Sequence, residues 1–286
     1  MKIGFVGLGV MGAPMAGHLV AAGHEVVGFN RSPEKARAWA EKHHGAAADS
    51  LLEVARGRDF IVLCVGTDSD VREVVGAMLN DLRPGAILID HTTTSAGLAR
   101  DMAAAVEARE CRFLDAPVSG GQAGAEKGQL SVMLGGDEAA AAAAEPVIRA
   151  YSKAVKRMGG PGAGQLTKMV NQICIAGVVQ GVAEAVGFTA RAGLDPQLVY
   201  EAISQGAAQS WQMDNRWATM ARGEFEFGFA VDLMRKDLGL VLAEARGNGA
   251  RLEITALVDQ FYAEIQAMGG RRWDTSSLAA RLQKAV

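Results

Sequence analysis

The sequence is poor in the residues that would tie a chain to the cell exterior or to nucleic acid. Its three cysteines, Cys64, Cys111 and Cys174, are widely spaced in 286 residues, and an odd, scattered set builds no disulfide framework. They read as reduced core thiols of a cytoplasmic protein. No basic run exceeds two or three residues and the net charge is −3, which argues against nucleic acid as a main partner. No apolar stretch reaches the ~18 residues that a membrane span needs. The most apolar region, 170–192, is broken by Gln172, Gln180, Glu184 and Arg191, and reads as a buried helix. The first strand is expected to start at Lys2, and no leader is expected ahead of it. The five histidines show no ligand spacing with a cysteine or carboxylate cluster, so no metal is expected.

What is present is a large apolar fraction, 49%, with 21% charged residues, enough for two ordinary domains with real cores. Up to residue 110, short apolar runs alternate with helical patterns. "KIGFVGLG", "EVVGFN", "DFIVLCV", "AILID" and "CRFLDAPV" read as strands. Helices of 10 to 15 residues between them predict βαβ units and a parallel sheet. Ser32 and Pro33 open one helix, which Gly45 is expected to close. "DEAAAAAAEPVIRAY" reads as a plain surface helix, because alanine is the best helix former. "SVMLGG" and "AVKRMGG" look like the last strands. "GPGAG", at 160–164, then punctuates the chain, and the strand signals stop.

Beyond it, 165–191 reads as one helix of ~40 Å. Gly177, Gly181 and Gly187 lie along it, each costing ~1 kcal/mol relative to alanine, which predicts close packing against a neighbouring helix. Further helical patterns follow to the chain end. The expected organisation is α/β: a Rossmann-type dinucleotide-binding domain over 1–162, then an all-α domain over 163–286 entered through the long helix.

The turn Gly7-Leu8-Gly9-Val10-Met11-Gly12 carries G-x-G-x-x-G. Alone, the pattern is weak in a chain with 35 glycines; after a strand and before a helix it is specific. Gly7 allows a tight turn, Gly9 lets the backbone approach a pyrophosphate, and Gly12 lets helix pack on strand. The helix N-terminus favours phosphate. About 20 residues on, where an acid commonly reads the ribose 2′-hydroxyl, the chain has Asn30, Arg31 and Ser32. Asparagine repels no phosphate and arginine suits one, so NADP is favoured, with NAD possible. A solvated loop arginine is the plainer reading of Arg31.

Two more stretches carry unexplained polar residues. Ser119-Gly120-Gly121 follows a strand end and forms either a carboxylate cradle of converging N–H groups or a flexible loop. In "GAGQLTKMVNQ", Lys168 and Asn171 share a helix face among apolar neighbours. Desolvation would lower the pKa of a buried lysine and suit it to exchange a proton with an alcohol. A lysine reaching along the helix start to solvent is the alternative, and the pattern leaves both open.

Four ordered stretches, "GFVGLGVMGAPMAGHL", "DAPVSGG", "GAGQLTKMVNQ" and "VDLMRKDLGL", resemble the β-hydroxyacid dehydrogenase family across nearly the whole chain. This group holds 3-hydroxyisobutyrate dehydrogenases, tartronate semialdehyde reductases and glyoxylate/succinic semialdehyde reductases. The "KxxNQ" form is most similar to the tartronate semialdehyde branch; other members place an asparagine where this chain has Gln172. The resemblance implies Lys168 as general acid/base and Asn171 as substrate holder. It implies Ser119, Gly120 and Gly121 at the substrate carboxylate. Val65, Gly66, Thr93 and Lys236, with Asp237 beside it, would lie at the cofactor. It also implies that 204–216 lines the substrate pocket, with Trp211 and Met213 bulky there, and that the helical domain forms dimers or tetramers. His91 stands where many relatives have a small or apolar residue, and the sequence offers no account of it.

Three other readings compete with this one. A 6-phosphogluconate dehydrogenase-like enzyme would need a His-Asn pair after the lysine and a larger helical domain. An imine reductase-like enzyme would carry aspartate or tyrosine in place of Lys168. A non-catalytic nucleotide-binding module would not keep Lys168 with Asn171.

Overall fold

The computed structural model describes residues 1–283 as two compact units, Met1–Lys168 and Met169–Val286. The division falls inside one helix, six residues past the sequence-based boundary.

The first unit opens with β1 (Lys2–Val6), α1 (Gly12–Ala21), β2 (Glu25–Phe29), α2 (Pro33–His43), β3 (Ala46–Ala47) and α3 (Leu51–Ala55). β4 (Phe60–Leu63), α4 (Asp68–Met78), β5 (Ile87–Asp90), α5 (Ala96–Glu107) and β6 (Arg112–Asp115) follow. Its last elements are β7 (Val118–Ser119), α6 (Gly121–Glu126), β8 (Leu130–Gly135), α7 (Glu138–Ile148) and β9 (Ser152–Gly159). The sheet runs β3-β2-β1-β4-β5-β6-β8-β7, with β9 also on β8. From β3 to β6 every pairing is parallel. β8 departs from the expected parallel sheet: it pairs antiparallel with β6 and β7 and parallel with β9.

The alternation of side chains across the sheet builds two cores. Ile3, Phe5, Val62 and Ile89 pack on one face with Met15 and Leu19 of α1 and Val147 of α7. Val6, Ile61, Leu63 and Leu88 pack on the other with Val71 and Val75 of α4 and Leu98 of α5. β4 is a continuous apolar run, and β5 is one up to Asp90, because helices cover both faces. The alanine-rich α7 is only half a surface helix, since Ala140, Ala141 and Ala144 are buried. α2 ends differently from expectation. His44 takes the left-handed cap conformation, φ 60°, while a Cβ on Gly45 would meet the Trp39 ring.

His91 acquires an account here. It is 3% exposed, directly after β5. Its Nδ1 donates to the Ala116 carbonyl at 2.6 Å and its Nε2 accepts from the Tyr151 hydroxyl at 2.8 Å. Both rings are buried and meet edge to face, pinning the 149–151 turn beneath the sheet. Burial pushes the imidazole down to about 4 and the Tyr151 hydroxyl well up, so this pairing uses neutral imidazole.

The second unit is helical: most of α8 (Ala163–Arg191), then α9 (Pro196–Ile203), α10 (Trp211–Arg222), α11 (Val231–Asn248), α12 (Glu253–Ala267) and α13 (Leu278–Gln283). Ala176, Val179, Ala183, Trp217, Leu238, Val258 and Tyr262 form its core. α8 is not buried throughout. By length and composition it passes for a membrane span, yet its first turn is hydrogen-bonded into the nucleotide unit. Its outer face exposes Val170, Val178 and Phe188. A Cβ on Gly177 or Gly181 would meet nothing within 4 Å, so the expected packing partner lies nowhere in this chain's described residues. Gly187 alone approaches a neighbour, Leu282. Cys174 is also exposed and Cys64 half-buried; only Cys111 is the core thiol expected of all three.

Candidate functional site

The site starts where the strand order changes direction. The chain passes from β1 outward to β2 and β3, then returns to place β4 on the other side of β1. In such sheets a crevice opens at the carboxyl end of the first strand, and there the 7–12 turn joins β1 to α1. Gly12 cannot be replaced simply: a Cβ would meet the Gly7 carbonyl and the Phe5 ring. Over Gly9 a Cβ would meet nothing within 4 Å, so the space above the turn is open. No acidic residue stands in the first turn of α1. The donor set and the open approach fit a dinucleotide pyrophosphate.

The side chains of the turn divide. Leu8 is buried, Val10 is exposed and Met11 packs against the core. The N–H of Leu8 donates to Asn30 Oδ1 at 3.1 Å, and Asn30 Nδ2 donates to the Ser32 carbonyl at 3.3 Å. Asn30 therefore braces the glycine turn against the end of β2. Ser32 precedes α2 with extended backbone, but its side chain makes no cap bond. The Arg31 side chain is 83% exposed, with its guanidinium 3.2 Å from Asp70.

The loop after β4 lies beside this end of the sheet. The N–H of Val65 donates to Thr92 Oγ1 at 3.1 Å, so Thr92 ties that loop to the one after β5, where Thr93 is half-buried. Gly66 lies against the Asp70 carboxylate. Beyond β6, Gly120 and Gly121 have positive φ, 132° and 61°. They turn the backbone out of the ladder that Ser119 still makes with Ser131.

Lys168 is 7% exposed, and its position depends on two residues that the sequence reading missed. Asp115, at the end of β6, accepts from the N–H groups of Gly162 at 2.8 Å and Gln165 at 2.9 Å. A carboxylate from a distant strand thus caps the helix that carries the lysine. Burial raises the Asp115 pKa, opposed by these N–H donors. Gly135 and Gly164 leave room for that carboxylate. Gln165, fully buried, accepts from the Thr94 N–H at 3.0 Å and donates to the Thr92 carbonyl at 2.7 Å. One turn of helix separates these anchors from Lys168. The sequence carries a signal for both, since Asp115 opens "DAPVSGG" and Gln165 lies in "GAGQLTKMVNQ".

The helical unit holds the other named residues. Asn171 Nδ2 donates to Gln172 Oε1 at 2.8 Å, and Gln172 Nε2 donates to Asp237 Oδ2 at 2.7 Å. Asp237 also pairs with Lys236 at 3.3 Å. Gln172 thus fixes the orientation of Asn171, and buried Asp237 is the node of the chain. Trp211 opens α10, 57% exposed, with Arg216 5.0 Å over its ring. Met213 is 3% exposed in the helical core, because its place in α10 turns it inward.

The family model described as the NAD-binding domain of 6-phosphogluconate dehydrogenase matches residues 2–160. That described as NAD-binding of NADP-dependent 3-hydroxyisobutyrate dehydrogenase matches 162–282. An uncharacterized oxidoreductase of Shewanella frigidimarina is 58% identical, covering 99% of both chains. The 2-hydroxy-3-oxopropionate reductase of Escherichia coli is 33% identical over 99% of this chain and 97% of its own. A solved Mycobacterium tuberculosis 3-hydroxyisobutyrate dehydrogenase with L-serine is 33% identical, covers 99% of both chains and superposes with a TM-score of 0.90.

Proposed function

The chain belongs to the β-hydroxyacid dehydrogenase family of NAD(P)-dependent oxidoreductases, and on that premise we propose that it oxidises a short hydroxy acid, or reduces the matching semialdehyde, with NADP(H) preferred over NAD(H). The observation that carries this reading is Lys168, buried and held at the start of α8 by Asp115 and Gln165. The compounds named for two relatives share one arrangement: an oxygenated terminal carbon next to the α-carbon of a carboxylate. That arrangement needs an anion site and a proton-transfer group a short distance apart.

The turn at Gly7, Gly9 and Gly12 would hold the pyrophosphate, with Val65, Gly66 and Thr93 beside it and Lys236 from the helical unit. When bound, the nicotinamide supplies the acceptor for the carbinol hydride. Ser119, Gly120 and Gly121 bind the substrate carboxylate through the hydroxyl and outward-turned backbone, and Asn171 holds the substrate hydroxyl. Lys168 takes the hydroxyl proton at Nζ during oxidation and returns it to the forming alkoxide during reduction. Trp211 bounds the substrate side. The exposed apolar stripe of α8, with open space over Gly177 and Gly181, supports a dimer or tetramer built on this helix. The free cysteines fit a cytoplasmic protein.

The test is NADP⁺ reduction followed by absorbance over 3-hydroxyisobutyrate, glycerate, 4-hydroxybutyrate, L-serine and 3-hydroxypropionate, with NAD⁺ in parallel. Turnover of one or two compounds is expected, faster with NADP⁺. Silence across the panel with cofactor binding intact would overturn the substrate class.

Arg31 carries the cofactor preference in this reading. Arg31→Ala is expected to weaken NADPH binding by about tenfold or more, the scale of a charge-assisted phosphate contact, and NADH by less than about twofold. Equal losses for both in a fluorescence titration would sink the preference.

A further inference from the structure

The second strand ends without the acid that usually reads the ribose, and the structure supplies one from elsewhere. We propose that Asp70, in the first turn of α4, is a cofactor-specificity residue: its carboxylate competes with the 2′-phosphate of NADP for Arg31 and so narrows the preference over NAD. The proposal rests on the reading that Arg31 receives that phosphate.

Three observations hold Asp70 in this position. Its Oδ1 lies 3.2 Å from Arg31 Nη1, across 39 residues of sequence. Its Oδ2 accepts from the Thr67 hydroxyl at 2.9 Å, while its own N–H donates back to that oxygen at 3.3 Å. The carboxylate is therefore fixed from its own side, and the Arg31 side chain, 83% exposed against 19% for Asp70, is the partner free to move. The third observation is Gly66. A Cβ there would come within 2.7 Å of Asp70 Oδ2, so any larger residue would push the carboxylate off. The absence of a side chain at 66, on the loop expected to line the cofactor, leaves room for an acid beside the arginine.

The chemistry decides the direction. A guanidinium is planar with five N–H donors, and Asp70 uses one edge of it. A phosphate dianion arriving at the same cation meets a fixed carboxylate a few ångströms away, and the two anions repel. NADH brings a neutral 2′-hydroxyl, which a nearby carboxylate tolerates and can accept from. The charge on Asp70 thus opposes NADPH and spares NADH. Asp70→Asn removes the charge and keeps the Thr67 hydrogen bonds, because the amide oxygen still accepts.

The experiment measures dissociation constants of NADPH and NADH by quenching of protein fluorescence, for the wild type, Asp70→Asn, Arg31→Ala and the double variant, at low and physiological salt. Asp70→Asn should tighten NADPH by about two- to fivefold, converted from the coupling of an accessible charge pair. NADH should be unchanged or weakened. In the Arg31→Ala background the gain should shrink, and high salt should reduce it. If Asp70→Asn weakens NADPH, the acid orients the arginine and does not compete, and the proposal fails. Equal shifts for both cofactors also overturn it. The underlying preference is judged separately: equal losses for both cofactors in Arg31→Ala alone would remove Arg31 as the phosphate reader, whatever Asp70→Asn does.

Discussion

Lys168→Ala should lower kcat by about 10³-fold, within the usual range for a positioned general acid/base, while the NADPH dissociation constant stays within about twofold. The split follows from the geometry. The helix start is secured by Asp115 and Gln165, whose hydrogen bonds involve backbone at 162 and 165 and the 92–94 loop. None of these bonds uses the lysine amine, so they remain when it is removed. The glycine turn proposed to hold the phosphates lies at the other end of the unit's sequence, after β1. Small primary amines added to the Lys168→Ala variant should restore part of the rate, and the rescue should grow with the fraction of unprotonated amine. A variant that keeps near-normal turnover would remove Lys168 from the proton transfer. One that loses NADPH binding in step with kcat would make the lysine a structural or cofactor group.

A second large effect is expected on acidification. His91 is neutral in the fold, with its pKa lowered from the ordinary 6.5 to about 4 by burial. As the pH falls through 6.5 the unfolded chain takes up a proton at this imidazole, and the folded chain does not until about pH 4. In that window the unfolded state binds more protons, so stability falls with falling pH. The contribution is fully present above pH 6.5 and is lost by about pH 4. At 1.36 kcal/mol for each pKa unit, the loss is about 3 kcal/mol at pH 4. His91→Gln removes the titration. Urea unfolding of both proteins between pH 7 and pH 4 should show the wild type losing about 3 kcal/mol more than the variant. Parallel curves would mean that His91 is protonated as readily in the fold as in the unfolded chain. At neutral pH the variant should itself be less stable, since the Tyr151 hydroxyl is buried and needs an acceptor.

The parts of this molecule that were legible in the sequence are those set by neighbours in the chain. β1, β4 and β5 announced themselves as apolar runs, and the 7–12 turn as spaced glycines between a strand and a helix. Ser32 and Pro33 marked a helix start that the structure keeps. Contacts between distant segments were not legible. The cap that Asp115 provides for α8 spans 47 residues to Gly162, and the His91–Tyr151 bond spans 60. Asp70 could be read as an ordinary first-turn acid until β2 and β4 were seen on either side of β1. Gly177 and Gly181 show the opposite failure. Their small size leaves room beside the helix, but periodicity does not say which surface fills it, and nothing among the described residues of this chain does.

The central claim is that the carbinol hydride of a short hydroxy acid passes to the nicotinamide of a cofactor whose pyrophosphate the 7–12 turn would hold. The most direct measurement uses 3-hydroxyisobutyrate, and each active relative compound in turn, deuterated at the carbinol carbon, with NADP⁺ and the wild-type protein. The account predicts NADPH that is one mass unit heavier and carries the label at C4 of the nicotinamide. Unlabelled NADPH, or none from any compound although NADP⁺ binds, would contradict it.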